Sequence, residues 1–290
     1  MERKISPSEL IINDDNSIFH LHIKPEMLCD RIILVGDPAR VDLVASFFDE
    51  RTAEVSNREF HTVCGIFKGK PVMCVSHGIG ADNIDIVINE LDALANIDFS
   101  TRTVRDDFRQ LTMVRIGSSG SIQEDVPVGS MVVAEKALGI DGAFHFYRNS
   151  EKFRDVEFEN EFIRQCDWKP LWNHPYVVAA DEELVRRLVT PEMHLGVTIT
   201  ANGFYGPQGR ELRLPLAESR YKELLHKFEY KGRKITNFEM ESAMLQGLAK
   251  LMGHKAVTIC AIIAGRISNT ADTHYKGSMK HLISTVLDRL

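Results

Sequence analysis

Two short segments of this chain carry residue types whose spacing suits chemistry on a sugar. RIGSSG at 115–120 places a cation, two hydroxyls and two glycines at the end of an apolar strand, which suits an oxyanion such as phosphate. NFEMES at 237–242 places two carboxylates two residues apart where an apolar helix begins. Each carboxylate oxygen accepts hydrogen bonds, so this segment suits a diol. Phosphate together with a sugar diol predicts chemistry at an anomeric carbon.

Arg115 is informative because it interrupts the otherwise apolar strand 113–116. A buried arginine requires an anionic partner, which is either a structural carboxylate or a ligand. Gly117 and Gly120 are expected to give a flexible backbone after the strand, with serine hydroxyls as donors. Ligands of open α/β sheets bind at the carboxyl ends of strands, which favours a ligand here.

Two further segments are ambiguous when each is taken alone. GDPAR at 36–40 suits a helix start, with Asp37 as the cap and Pro38 as the first helical residue, and the free N–H groups of such a start also attract anions. FYGPQGR at 204–210 is interpreted as a loop whose amide and guanidinium can read a flat heterocycle. The competing interpretation of GDPAR is an ordinary strand–turn–helix connection, and that of FYGPQGR is an ordinary surface loop.

Metal and covalent chemistry have no matching motif in the sequence. His20 and His77 stand outside any HxH, HExxH or Cys/His cluster, so no metal site is expected. A GxSxG elbow is missing as well, which argues against a serine hydrolase.

Composition narrows the class of protein. The 290 residues are 44% hydrophobic and 26% charged, which predicts a globular protein with a large core. We expect a single domain over 1–290, with 1–16 as a loosely ordered extension. A net charge of −6 argues against a nucleic-acid partner. Five scattered cysteines and the lack of a long apolar run predict a cytoplasmic protein without a membrane partner.

Short apolar runs alternate with helical periods, which predicts an α/β fold with helices flanking a mostly buried sheet. Strands are predicted at 31–35, 72–76, 113–116, 130–134, 197–201 and 256–264. Helices are predicted around 41–48, 84–91, 245–252 and 281–290. The charged segment 98–110 is interpreted as a surface excursion, and 144–176 is left unassigned.

The order of these motifs resembles that of the type I nucleoside phosphorylases. GDPAR, NREF, GIG, RIGSSG, FYGPQGR and NFEMES follow one another from about Phe19 to the C-terminus. The resemblance implies a three-layer α/β/α sandwich with a mixed, partly barrel-like central sheet. It also implies reversible phosphorolysis of a nucleoside to a free base and ribose 1-phosphate, with inorganic phosphate as co-substrate and no cofactor.

The resemblance assigns roles to residues that match the motifs of the family. Catalytic roles fall to Arg115, Arg210 and Glu241. Arg58 and His20 would reach the site of a neighbouring subunit, which implies a homodimer with shared active sites and leaves a hexamer open. The full set comprises the phosphate ligands Gly36, Arg40, Arg58, Arg115 and Ser118, the ribose ligands His20, Glu239, Met240 and Glu241, and the base ligands Phe204, Gln208, Arg210 and Arg266.

The base implied by the resemblance depends on the last predicted strand. Purine-specific members place a Ser-Asp pair there, whereas 262–266 reads IIAGR without a carboxylate. Arg266 matches the arginine of members that act on uridine. Uracil leaves as a delocalised anion, which Arg210 and Gln208 can stabilise. We therefore expect uridine as the substrate, with a purine or broad-specificity phosphorylase and a non-catalytic nucleoside binder as alternatives.

One segment departs from the family pattern. GIGADN at 78–83 stands where the family has GIGxPS. Some members hold a monovalent cation near the glutamate that matches Glu59 and the serine that matches Asn83. The substitution leaves that cation open, and it leaves Asp82 and Asn83 without an assigned role.

Overall fold

The computed structural model describes residues 3–290 and contains one twelve-stranded mixed sheet flanked by helices. The strands are β1 (Arg31–Val35), β2 (Glu50–Asn57), β3 (Phe60–Phe67), β4 (Lys70–Ser76), β5 (Ile97–Asp98), β6 (Thr103–Val104), β7 (Thr112–Ser121), β8 (Met131–Gly139), β9 (Tyr176–Ala179), β10 (Met193–Thr200), β11 (Glu229–Tyr230), β12 (Arg233–Glu239), β13 (Lys255–Gly265) and β14 (Thr270–Ala271). The α-helices are α1 (Pro38–Ala45), α2 (Ala81–Asn96), α3 (Val156–Gln165), α4 (Glu182–Leu188), α5 (Tyr221–Lys227), α6 (Ser242–Leu251) and α7 (Lys276–Arg289).

The sheet has the order β11-β12-β10-β8-β13-β7-β1-β4-β3-β2, with β9 paired to β8 and β14 to β13, while β5 and β6 form a separate hairpin. Strands β4, β1, β7 and β13 run parallel, and so do β8, β10 and β12. Strand β12 also pairs with the end of β7, through Asn237–Ser121 and Phe238–Gly120. This pairing curls one part of the sheet, whereas β1, β4, β3 and β2 extend beyond it, so the sheet is not a closed barrel.

Helices cover both faces of the sheet, which confirms the predicted layers. Ile32 and Leu34 of β1 enter one apolar core, while Ile33 and Val35 enter the core on the opposite face, as the two-residue period of a strand requires. Helices α2 and α6 pack in the first core, and α1, α4 and α7 pack in the second. A third apolar core lies beneath α3 and α5.

The six predicted strands all form, but β7 continues through the segment that was expected to be flexible. The backbone of 117–120 pairs with β13, with Gly117 opposite Cys260 and Ser118 opposite Ala261. The expectation of a flexible glycine segment is therefore wrong. The glycines are held by a ladder of backbone hydrogen bonds from a strand that lies far away in sequence.

Within residues 3–16 of the N-terminal extension, the part around Ile5 and Leu10 packs against the rest of the chain, which differs from the loose order expected. Leu10 is only 7% exposed, and the Ile5 amide donates to the Arg102 carbonyl over 2.8 Å. The Arg102 guanidinium donates in return to the carbonyl of Ile5 over 3.1 Å. Ile5 and Leu10 are therefore held by Arg102 of the charged excursion 98–110, a contact that local sequence does not encode. Residues 1 and 2 of the extension lie outside the described residues.

The remaining expectations concern the aromatic segment and the membrane. Segment 144–176 contains α3 and places Phe144, Phe158, Phe162 and Tyr176 in the core at 1% exposure or less.

Within residues 3–290, no helix is both long enough and apolar enough to cross a membrane.

Candidate functional site

A cavity of about 900 Å³ opens where the carboxyl ends of several strands meet. Strands β1, β4, β7 and β13 are parallel, so their carboxyl ends share one edge of the sheet. The β12–β7 pairing brings the end of β12 to the same place. The predicted site residues that line the cavity are Gly36, Arg40, Arg115, Ser118, Phe204, Gln208, Arg210, Glu239, Met240 and Glu241.

Helix α1 begins at one end of the cavity. The Asp37 carboxylate accepts a hydrogen bond from the Ala39 amide over 2.9 Å, and Pro38 is the first helical residue, as predicted. Pro38 has no N–H, and the Arg40 amide donates to the Asp37 carbonyl over 2.9 Å, so the helix start favours an anion through the positive end of its dipole and not through free amides.

Arg40, Gly36 and Ser118 lie at the same end. The Arg40 guanidinium donates to the Ile116 carbonyl over 3.3 Å, which holds the cation beside β7. A Cβ atom on Gly36 would lie 3.2 Å from the Gly78 carbonyl oxygen, so the two turns approach as closely as a glycine permits. Together these groups supply a cation, a helix start and a hydroxyl for an anion.

Arg115 is the most heavily bonded cation in the cavity wall. Its Nη1 lies 2.9 Å from a Glu239 carboxylate oxygen, and its Nη2 donates to the Glu241 carboxylate. Its Nε donates to Nε2 of His77 over 3.1 Å. Burial alone would lower the pKa of Arg115, but the charges of Glu241 and Glu239 raise it above its ordinary value. The sequence allowed either a structural carboxylate or a ligand as the partner of Arg115, and the structure shows two carboxylates.

The Glu239 carboxylate is occupied by donors from the protein. It accepts from the Thr200 hydroxyl over 2.6 Å and from the amides of Glu241 and Ser242, each over 2.9 Å, besides its ion pair with Arg115. A carboxylate offers about four acceptor sites, so little capacity remains for a sugar hydroxyl. Glu239 therefore holds Arg115 and the start of α6, and the ribose contact that the resemblance implied stays a prediction.

Glu241 retains more capacity for a ligand. One carboxylate oxygen accepts from the Gly80 amide over 2.7 Å, and the other accepts from Arg115. Burial, followed by the charge of Glu239, raises the pKa of Glu241, while Arg115 opposes that shift. With Met240 beside it in the cavity wall, this carboxylate can accept two further hydrogen bonds, as a diol would donate.

The opposite end of the cavity has a planar, polar wall. The Arg210 guanidinium carbon lies 3.7 Å from the centre of the Phe204 ring, and Nη1 donates to the Phe204 carbonyl over 2.7 Å and to the buried Gln208 amide oxygen. Burial, and then the charge of Arg266, lowers the pKa of Arg210 to about 10. Arg266 itself is absent from the cavity lining, and its guanidinium donates to the Gly209 carbonyl over 3.3 Å.

His20 and Arg58 form a separate surface beside Phe19. The His20 ring lies 2.6 Å from a Glu90 carboxylate oxygen, and the Arg58 guanidinium lies 5.6 Å from the Phe19 ring centre. The Asn57 side chain donates to the His20 carbonyl over 2.8 Å, which ties the two segments together. Neither His20 nor Arg58 lines the cavity of its own chain.

Two contacts of the cavity wall were not predicted from the sequence. The Asn83 amide donates to the Glu59 carboxylate over 3.3 Å, so an amide donor occupies the carboxylate beside which the resemblance would place a cation.

The β13–β14 hairpin brings Asp272 into the wall, where its amide donates to the Ile263 carbonyl over 2.8 Å. Ser268 and the following asparagine are turn-forming residues, a signal that could have predicted this hairpin.

The fold is that of an α/β protein, and its cavity brings together groups whose chemistry suits an anion, a diol and a flat heterocycle. A profile of the Phosphorylase superfamily matches residues 30–286, and the chain belongs to that family. The uridine phosphorylase of Thermococcus kodakarensis is 28% identical over 275 residues, which cover 93% of this chain and 85% of that protein. The uridine phosphorylase of Escherichia coli is 28% identical over 279 residues, which cover 94% of this chain and 96% of that protein.

A solved structure extends the similarity to three dimensions. The crystal structure of a Trypanosoma brucei nucleoside phosphorylase, which shows uridine phosphorylase activity, is similar with a TM-score of 0.87 at 28% identity. The match covers 97% of this chain and 99% of that one.

Proposed function

We propose that this protein catalyses the reversible phosphorolysis of uridine to uracil and ribose 1-phosphate. The observation that carries the proposal is that one cavity is lined by three kinds of group: the cation of Arg40, the buried carboxylate of Glu241 and the planar guanidinium of Arg210 beside Phe204. Phosphate, ribose and a pyrimidine together require those three kinds of group. The uridine phosphorylases to which the chain is similar support the same substrate.

Phosphate is bound in this proposal by Arg40, Gly36, Ser118 and the first turn of α1. Arg115 adds positive charge from the cavity wall, where Glu239 and Glu241 hold its guanidinium. Donors that are fixed before the substrate arrives place the phosphate oxygen at the anomeric carbon without a loss of side-chain freedom during the reaction.

Bond cleavage then proceeds without a covalent enzyme intermediate. Glu241 accepts hydrogen bonds from the ribose hydroxyls and holds the sugar as the glycosidic bond breaks. The electron pair of that bond goes to uracil, and the anomeric carbon, which becomes oxocarbenium-like, forms its new bond to a phosphate oxygen. Phosphate is already anionic, so no strong general base is needed.

The negative charge that develops on uracil is stabilised at the Phe204 end of the cavity. Arg210 and the Gln208 amide present N–H groups and a carbonyl to the edge of the base, and Phe204 packs against its face. In the structure Arg210 donates to Gln208 and to the Phe204 carbonyl, so binding uracil exchanges these bonds for bonds to the base.

The same proposal includes a homodimer with shared sites. Arg58 and His20 lie together on one surface and outside the cavity lining of their own chain, which suits residues that complete a neighbour's site. Arg58 would contact phosphate there, and His20 would contact the ribose 5′-hydroxyl. Phosphate is the only co-substrate in this scheme, and no cofactor is required.

The test measures uracil release from uridine with and without phosphate, in protein dialysed against a chelator. We expect release only when phosphate is present, with ribose 1-phosphate formed in equal amount. Phosphate-independent release would indicate a nucleosidase and contradict the mechanism. Thymidine, deoxyuridine and inosine, assayed at the same phosphate concentration, define the preference for sugar and base.

A further inference from the structure

His77 is a buried residue of the cavity region for which the sequence indicated no function. It follows β4, and its side chain is completely inaccessible to solvent. Its amide donates to the Val35 carbonyl over 2.8 Å. The Cε1 atom of its ring lies 3.7 Å from the place that a Cβ on Gly36 would occupy. The imidazole therefore lies between the Gly36 turn, at the anion end of the cavity, and Arg115.

The hydrogen bond to Arg115 determines the protonation of the ring. The Nε atom of an arginine always carries a proton, so Nε2 of His77, which lies 3.1 Å from it, must accept. The single proton of the neutral ring then lies on Nδ1. At the Nη atoms, Arg115 donates to Glu241 and to the Cys260 sulfur and forms an ion pair with Glu239, so His77 supplies the acceptor at Nε.

We infer that His77 is a positioning residue, whose Nε2 atom sets the plane of the Arg115 guanidinium and thereby the place of Glu241 and of bound phosphate. The contacts with Glu239, Glu241 and the Cys260 sulfur are all at the Nη atoms and leave the guanidinium free to tilt about the line that joins those atoms. An acceptor at Nε removes that freedom. The kinetic part of this inference rests on the proposed function, whereas the state of the ring does not.

The charged groups that face the ring keep it neutral. Arg115 approaches from β7 and Arg40 from α1, while Glu239 and Glu241 lie beyond the Arg115 guanidinium. Burial, followed by the charges of Arg115 and Arg40, lowers the pKa of His77 well below its ordinary value. A protonated ring would set an N–H against the N–H of Arg115.

Two substitutions at His77 distinguish the loss of a hydrogen-bond acceptor from a change in side-chain size. His77→Leu removes the acceptor, whereas His77→Gln keeps an oxygen that can accept from Arg115. We expect His77→Leu to lower kcat/KM for phosphate by roughly 10- to 100-fold, because a buried donor is left unsatisfied. His77→Gln should recover most of that loss. His254 is a matched control, since it is buried, bonds to Asp92 over 3.0 Å and lies outside the cavity lining.

His254→Leu should lower the melting temperature without changing kcat/KM for phosphate. A second measurement uses the wild-type protein with ¹⁵N-labelled histidine, and His77→Gln assigns the resonance. We expect a neutral His77 with its proton on Nδ1, also at pH values below the ordinary pKa of histidine. Wild-type kinetics in His77→Leu, equal losses in the Leu and Gln variants, or a proton on Nε2 would each overturn the inference.

The same measurements still test the inference if a variant does not fold or if the proposed function is wrong. If His77→Leu does not fold, the Gln variant and the nitrogen spectrum decide between the outcomes. If the wild-type protein fails to cleave uridine, the proposed function fails by itself. Calorimetric titration with inorganic phosphate then replaces the kinetics, and the same order of affinities, wild type and Gln above Leu, is expected.

Discussion

A Glu239 carboxylate oxygen lies 2.9 Å from Nη1 of Arg115 in an ion pair whose side chains are 1% and 5% exposed, respectively. Arg115 comes from β7 and Glu239 from the end of β12, and these strands meet because Phe238 pairs with Gly120. One strand pairing therefore joins the segment that suits phosphate to the segment that suits a diol.

Removal of Arg115 should affect both stability and activity. Arg115→Met leaves two buried carboxylates without their cation, and we expect the free energy of unfolding to fall by about 3–5 kcal/mol. Uracil release should be lost as well, because Glu241 and phosphate lose a common partner. Chemical denaturation and turnover of uridine measure the two effects.

A buried ion pair elsewhere in the chain serves as the control. Arg154 lies 2.6 Å from Glu159, whose side chain is fully buried, and neither residue lines the cavity. Arg154→Met should destabilise the protein to a similar extent but leave the turnover of the folded protein unchanged. An Arg115→Met variant as stable as the wild type would contradict the structural role of the pair.

Two glycines of the same strand should respond differently to an added methyl group. A Cβ on Gly117 would lie 2.6 Å from Nη1 of Arg115, whereas the nearest atom to a Cβ on Gly120 is in the flexible side chain of Arg266, at 3.4 Å. Gly117→Ala should displace the guanidinium, raise KM for phosphate and destabilise the protein by about 1–3 kcal/mol. Gly120→Ala should melt close to the wild type. Equal melting temperatures in the two variants would show that Arg115 can move without cost.

Arg210→Lys should impair the base end of the cavity alone. Lysine lacks the planar guanidinium that stacks on Phe204 and presents several donors at once. We expect kcat for uridine to fall on the order of 100-fold, as for the loss of one donor to a developing anion. The affinity for inorganic phosphate, measured by calorimetry, should be unchanged. A matching loss of phosphate affinity would contradict the separation of the two ends.

Arg58→Ala tests whether sites are shared between subunits. We expect KM for phosphate to rise although Arg58 lies outside the cavity lining of its own chain. Mixed oligomers of Arg58→Ala and Glu241→Ala chains should regain activity, because some of their sites receive Arg58 from one chain and Glu241 from the other. Mixtures as inactive as the separate variants would rule out shared sites.

Much of the fold follows from local patterns. Buried strands such as β1 and β13 appear as apolar runs, and α2 and α6 appear as apolar residues at helical spacing. The start of α1 was predictable down to its cap, since Asp37 and Pro38 act on the backbone of their own turn. Strand β2 escapes prediction because its sequence, ERTAEVSN, is mostly polar, and exposed residues alternate with partly buried ones over much of its length.

The sequence by itself determined which residues could form a site, because the side-chain types of Arg115, Glu241 and Arg210 limit what each can bind. Only the tertiary structure decided which of these side chains bond to other protein groups and which remain available to a ligand. The partners of Arg115, the saturated carboxylate of Glu239, the neutral ring of His77 and the place of Asp272 all depend on contacts between distant segments. The physical reason is that hydrogen-bonding capacity is limited, so what remains for a ligand depends on which donors and acceptors the fold has already paired.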